Sequence, residues 1–209
     1  MSNFFRKPFK YTYKRITLFL ILINFGLFFL SIVLPELYPY LCLNPAIMLQ
    51  YKMYWQPLTY MFMHADMQHI FLNMLALLVF GLKFEKAVGS KEFILFYLFC
   101  GIASGLFSFA VYYFTGNFYV TLLGASGAIY AVLFAYAVAF PRSVILIWGI
   151  IPVPAPILVL IYAIIEVWSQ LTGRSGGTAH LTHLFGFAAA WIYFAVRMKI
   201  NPLKIWKNS

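Results

Sequence analysis

A few polar side chains carry the reactive chemistry of this chain: His64, His69, Asn73, Ser126, His180 and His183. Ser126 lies in the run Gly124-Ala125-Ser126-Gly127. A serine hydroxyl becomes a nucleophile when a base within hydrogen-bond reach takes its proton. His183 or His180 can be that base. Gly124 and Gly127 let the backbone bend and a substrate approach closely. Backbone N–H groups at a helix start have no partner in their own helix and can donate to an oxyanion. His69 and Asn73 are four residues apart, so they share a helix face. Both donate hydrogen bonds and suit the same oxyanion.

Two other chemistries use the same residues. His180 and His183 are three apart on one helix face, and His69 can complete a three-ligand zinc site. Against zinc, the His-Glu-x-x-His pattern of metalloproteases is absent. A transporter would use interrupted helices, which the glycines and the run Pro152, Pro154, Pro156 would fit. No paired halves with matching interruptions accompany them.

These residues must be positioned by elements that live in lipid. Of 209 residues, 64% are hydrophobic and 10% are charged. A soluble domain is about 45–50% apolar and about 25% charged. The balance excludes a soluble globular protein, a disordered chain and a disulfide scaffold. A helical span takes roughly 20 apolar residues. The apolar runs predict an all-α membrane protein, a polytopic bundle of six transmembrane helices. Spans are expected near 16–34, 67–82, 92–114, 118–140, 154–168 and 178–196. The first run is longer than a signal-peptide core and lacks a small-residue cleavage site, so it reads as a retained anchor.

Charge sets the orientation. Cytoplasmic loops collect Lys and Arg. With both termini cytoplasmic, 13 of the 15 basic residues fall inside, and only Lys52 and Arg174 fall outside. The net charge of +10 therefore records topology and calls for no nucleic-acid partner. The expected organisation is a basic cytoplasmic segment over 1–15, one membrane domain over 16–196 and a basic cytoplasmic tail over 197–209. The outer loop over 35–65 is rich in Tyr and Trp, which favour the membrane interface. Alternate prolines at 152–156 cannot continue a regular helix, so the fifth span begins after them. Cys42 and Cys100 lie at different depths and are not expected to pair.

Spans two, four and six all run inward from the outer side. Their polar groups lie in the first turns. On the predicted boundaries Ser126 is about 12 Å and His183 about 8 Å below the start of its span, at 1.5 Å per residue. His69 and Asn73 lie at similar depth. Gly127, Ala131, Ala135 and Ala139 form a small-residue stripe that lets helices approach closely. Gly186 with Ala190, and Gly101 with Gly105, offer the same. Among acids, Asp66 and Glu166 stand near the outer level, and none is near His183 in sequence. The reading is a Ser–His dyad without an acid.

Taken together, these motifs resemble the rhomboid intramembrane serine proteases, at the minimal six-span size and over almost the whole chain. Gly124-Ala125-Ser126-Gly127 is similar to the family's nucleophile motif. His183 followed by Gly186 is similar to its catalytic His-x-x-Gly, which favours His183 over His180. His64, His69 and Asn73 match its His-x4-His-x3-Asn pattern. The resemblance implies that Ser126 is the nucleophile and His183 the base. It implies that His69 and Asn73 bind the oxyanion with the Ser126 N–H. His64 would be structural, Tyr130 would pack on the catalytic His, and Glu85 would be a structural acid. It implies transmembrane-protein substrates cut near their outer end, no cofactor and no metal. The expected location is a bacterial inner membrane, with the site open to the extracytoplasmic side. Two positions depart from the family pattern. Trp55-Gln56 replaces Trp-Arg in the outer loop, and Ala190 replaces a glycine.

Overall fold

A computed structural model describes residues 9–147, 149–172 and 177–208, with no side chains described at 177–179. Arg6, Lys7 and Arg174, used in the charge count, lie outside the described residues. The helices are α1 (Ile16–Val33), three short loop helices α2 (Leu37–Leu41), α3 (Pro45–Gln50) and α4 (Gln56–Thr59), then α5 (Met67–Val88) and α6 (Ser90–Phe114). They continue as α7 (Ser126–Ala139), α8 (Ala155–Thr172), α9 (Gly177–Tyr193, extended by a π-helical turn Phe194–Met198) and α10 (Pro202–Lys207). Among the described residues, five helices are long and apolar enough to cross a membrane: α1, α5, α6, α8 and α9.

The fourth expected span is different. α7 has 14 residues, about 21 Å at 1.5 Å per residue, short of the roughly 30 Å hydrocarbon core. It makes up for length by position. Almost every residue from Gly127 to Val138 is buried, against α5, α6, α8 and α9. Alanine supplies Ala128, Ala131, Ala135 and Ala137, so four neighbours can close in around it. It starts late because residues 118–125 are not helical. Leu122 pairs instead with Leu43, exchanging N–H···O bonds of 2.8 and 2.9 Å. Gly124 then takes φ +119°, a left-handed value that glycine alone adopts readily. α7 ends at Phe140 because Pro141 follows. Ser126 is thus the first residue of its helix, not eight residues in as the sequence predicts.

The all-α expectation also needs one amendment. The segment before the prolines is a small antiparallel hairpin, β1 (Val144–Ile147) with β2 (Ile151–Pro154). β-Branched residues favour it. Both strands are edges, so Pro152 and Pro154 leave no central ladder bond unmade. α8 begins at Ala155, directly after them.

Buried polar groups lock the helix ends. The first turn of α1 has no side-chain cap of its own, since its N-cap is Arg15. Glu85 of α5 supplies it, accepting from the N–H groups of Ile16 (2.7 Å) and Thr17 (2.9 Å) and the Thr17 hydroxyl (2.7 Å). A carboxylate at a helix N-terminus is favourable by charge as well as by hydrogen bonding. At the end of α9, Arg197 binds Glu92 of α6 through Nε (2.8 Å) and Nη2 (2.9 Å). In the outer loop, Gln56 is fully buried where the family pattern has Arg. It accepts from the Asn44 N–H (3.1 Å) and donates to the Pro39 carbonyl (2.9 Å), while the Trp55 indole donates to Tyr40 (2.8 Å). A neutral amide therefore anchors this loop. Gly101 and Gly105 do not serve helix–helix approach alone. They seat the loop side chains Met61 and Tyr60, and the Tyr60 hydroxyl donates to the Gly101 carbonyl at 2.7 Å.

Candidate active site

Ser126 Oγ lies 2.7 Å from His183 Nε2. Because α7 begins at Ser126, its N–H has no acceptor within the helix; the first helical bond is Ile129 N–H to Ala125 O at 3.0 Å. A hydroxyl reaches only a short way, so α9 must come very close to α7. Gly186, three residues after His183, allows it: a Cβ there would collide with the Gly127 carbonyl oxygen. Gly127 is itself hemmed in, since its Cβ would sit 2.9 Å from Ser104 Cβ of α6. The Tyr130 ring stacks on His183, with centroids 4.3 Å apart and planes 8° from parallel.

The other histidine of α9 meets a carboxylate that His183 shares. His180 Nδ1 is 2.5 Å from Glu166 Oε2. His183 Nδ1 is 2.9 Å from Glu166 Oε1, and the Tyr130 hydroxyl donates to the same carboxylate. The expectation that no acid would stand beside His183 is therefore corrected. Sequence separation hid the contact, because Glu166 is on α8, 14 and 17 residues before the histidines. The signal was there: an acid in an apolar helix is costly and demands a partner. Glu166, His180 and His183 also each offer a donor atom within 4.8 Å of the others, so among the described residues these three, rather than a set with His69, could hold a metal ion.

Asp66 caps α5, accepting the His69 N–H at 2.7 Å, which fixes the start of the helix that carries His69 and Asn73. Ala65 N–H points to His69 Nδ1 at 3.5 Å. That leaves Nε2 as the protonated nitrogen of a neutral ring. Nε2 faces Gly124, where a Cβ would lie 2.8 Å away, so only glycine fits between this imidazole and the serine loop. His69, Asn73, Ser126 and His183 line one cavity of about 500 Å³, whose remaining wall is mostly apolar: Leu72, Ile129, Leu133, Ile147 and Leu158 among others. His64 does not reach it. It is fully buried, packed edge-on to His69 at 5.0 Å, and neither ring nitrogen has a hydrogen-bond partner among the described residues. Burial, assisted by the neighbouring His69, pushes its pKa down to about 3.

Apolar helices of membrane length around a mostly apolar cavity that holds a few polar side chains define an integral membrane protein whose site lies within its own bundle. The chain belongs to the rhomboid family: the Rhomboid domain profile matches residues 51–200, which hold every residue of the site. It is 31% identical over 143 residues to Rhomboid protein 1, mitochondrial, of Saccharomyces cerevisiae, covering 63% of this chain and 38% of that protein. It is 32% identical over 82 residues to Rhomboid-related protein 3 of Homo sapiens, covering 39% of this chain and 19% of that one. The matches thus span well under half of each relative's length.

Proposed function

We propose that this chain is an intramembrane serine endopeptidase acting on transmembrane proteins. The observation that carries the reading is the 2.7 Å contact between Ser126 Oγ and His183 Nε2 at the open end of α7. In the proposed reaction His183 Nε2 takes the hydroxyl proton as Ser126 Oγ attacks the peptide carbonyl. The tetrahedral oxyanion is met by the Ser126 N–H, His69 Nε2–H and the Asn73 amide. His183 then gives its proton to the leaving amine, and the acyl-enzyme is released by water through the same steps in reverse. No cofactor takes part. Gly124 and Gly127 keep the approach to the serine open, Tyr130 steadies the base, and His64 supports His69 from behind.

The apolar cavity wall suits a substrate that is itself an unwound stretch of membrane helix. Counted with α7 as a short sixth span, the bundle has both termini cytoplasmic by its basic residues. The start of α7 then faces the extracytoplasmic side, and water reaches Ser126 from there.

The test is a fluorophosphonate probe together with a test transmembrane substrate, on wild type and Ser126→Ala. Wild type should label and cleave, and Ser126→Ala should do neither. Full cleavage by Ser126→Ala would refute the serine mechanism.

One observation favours a second reading, a metal-dependent hydrolase: the Glu166, His180, His183 donor set. A strong chelator separates the two. The serine reading expects unchanged cleavage; loss of cleavage restored by Zn²⁺ would establish the metal reading instead.

A further inference from the structure

Glu166 bridges both histidines of α9 and the tyrosine that stacks on one of them. Its side chain is 5% exposed, while those of His180 and His183 are 18% and 16% exposed. A buried carboxylate in an apolar helix is expensive unless its lone pairs are used. Here one oxygen meets His183 Nδ1 at 2.9 Å and the Tyr130 hydroxyl, and the other meets His180 Nδ1 at 2.5 Å. The line runs on from Glu166 Oε1 through His183 Nδ1 and Nε2 to Ser126 Oγ.

We infer that Glu166 is a positioning residue that makes the Ser126–His183 pair the first two members of a Ser–His–Glu triad. The inference rests on the serine-protease reading above. Accepting a hydrogen bond from Nδ1 puts the proton of the neutral imidazole on Nδ1. Nε2 is then left with its lone pair toward Ser126, the tautomer a general base needs. When Nε2 takes the serine proton, the imidazolium that forms lies against a carboxylate, so the charge is stabilised in the transition state. No proton passes to Glu166. His180 and Tyr130 hold the carboxylate in place by two further hydrogen bonds. The groups that face this pair are Ser126 and Tyr130 of α7, Tyr162 and Glu166 of α8, His180 of α9 and His69 of α5. Among the described residues, Glu166 is the one acid in hydrogen-bond contact with His183.

The experiment compares wild type, Ser126→Ala, Glu166→Gln and Glu166→Asp. It reads kcat and KM on a test transmembrane substrate, the rate of fluorophosphonate labelling and the thermal midpoint. Glu166→Gln keeps the shape and removes the charge. It should lower kcat and the labelling rate about 10- to 100-fold, less than the roughly 10⁴-fold loss when a triad acid alone orients the base, because Tyr130 stacking persists. KM should stay within about twofold, since the carboxylate touches the base and not the substrate. Glu166→Asp should recover a large part of kcat. A Gln variant with wild-type kcat, a loss carried by KM, or an Asp variant no better than Gln would overturn the role. Should the Gln variant melt early, its kcat per fluorophosphonate-titrated site, read below its midpoint, decides: lowered kcat at unchanged KM upholds the role, and wild-type kcat or a raised KM overturns it. A wild type that neither cleaves nor labels overturns both this role and the serine reading. An active wild type beside an inactive Ser126→Ala, with an unaffected Glu166→Gln, overturns only the role of Glu166.

Discussion

Gly186 of α9 lies directly against the carbonyl oxygen of Gly127 in α7, with no room for a Cβ between them. This contact sets the distance between the helix that carries Ser126 and the helix that carries His183. The obstacle is backbone, which cannot swing aside as a side chain would.

Gly186→Ala is therefore expected to push α9 off α7. Overpacking of this kind costs about 1–3 kcal/mol. Thermal unfolding in detergent should show a lowered midpoint, and cleavage should fall about 100-fold as the 2.7 Å contact opens. A variant that cleaves like wild type would mean that the close approach is dispensable.

His183 and His180 both meet Glu166, but His183 also meets Ser126. His183→Ala should reduce kcat by about 10²–10⁴, the usual contribution of a general base. His180 touches Glu166 rather than Ser126, so His180→Ala should retain measurable activity, with a loss nearer tenfold. Side-by-side kcat values check this, and the reverse ranking would reassign the base.

For His69 and Asn73, the proposed oxyanion donors, the expected pattern is a loss in kcat at nearly constant KM. Asn73→Ala and His69→Ala should each cost about 10²–10³ in kcat, the range for removing one donor. His69→Ala should be the worse of the two, because it also leaves a hole beside Gly124 and His64. A pure rise in KM would point to substrate binding instead.

Acid should weaken the fold through His64. Its pKa falls from 6.5 to about 3 on folding, so between those values the unfolded chain binds more protons than the folded one. Stability from this group is complete above about pH 6.5 and is lost progressively as pH drops toward 3. His64→Leu removes the titration, so its thermal midpoint should depend less on pH over that window. An unchanged pH slope in the variant would show that other groups carry the acid sensitivity.

Much of this protein is legible in its sequence. Composition alone requires lipid as the solvent, because 64% apolar content cannot be covered by 10% charged residues in water. The glycines around Ser126 and the His183–Gly186 spacing are each local, and so is the His69–Asn73 spacing. Helical periodicity carries such relations along the chain. Three features needed the tertiary structure. α7 starts at Ser126 because Leu122 is held by Leu43, some 80 residues away, and no local signal records that pairing. The hairpin at 144–154 was readable only as an interruption, since apolar β-branched residues suit a buried helix as well as a strand. Glu166 meets His183 because α8 packs against α9 at one rotation. The sequence marked it as an acid that lipid should not tolerate; packing decided which side chains it would meet.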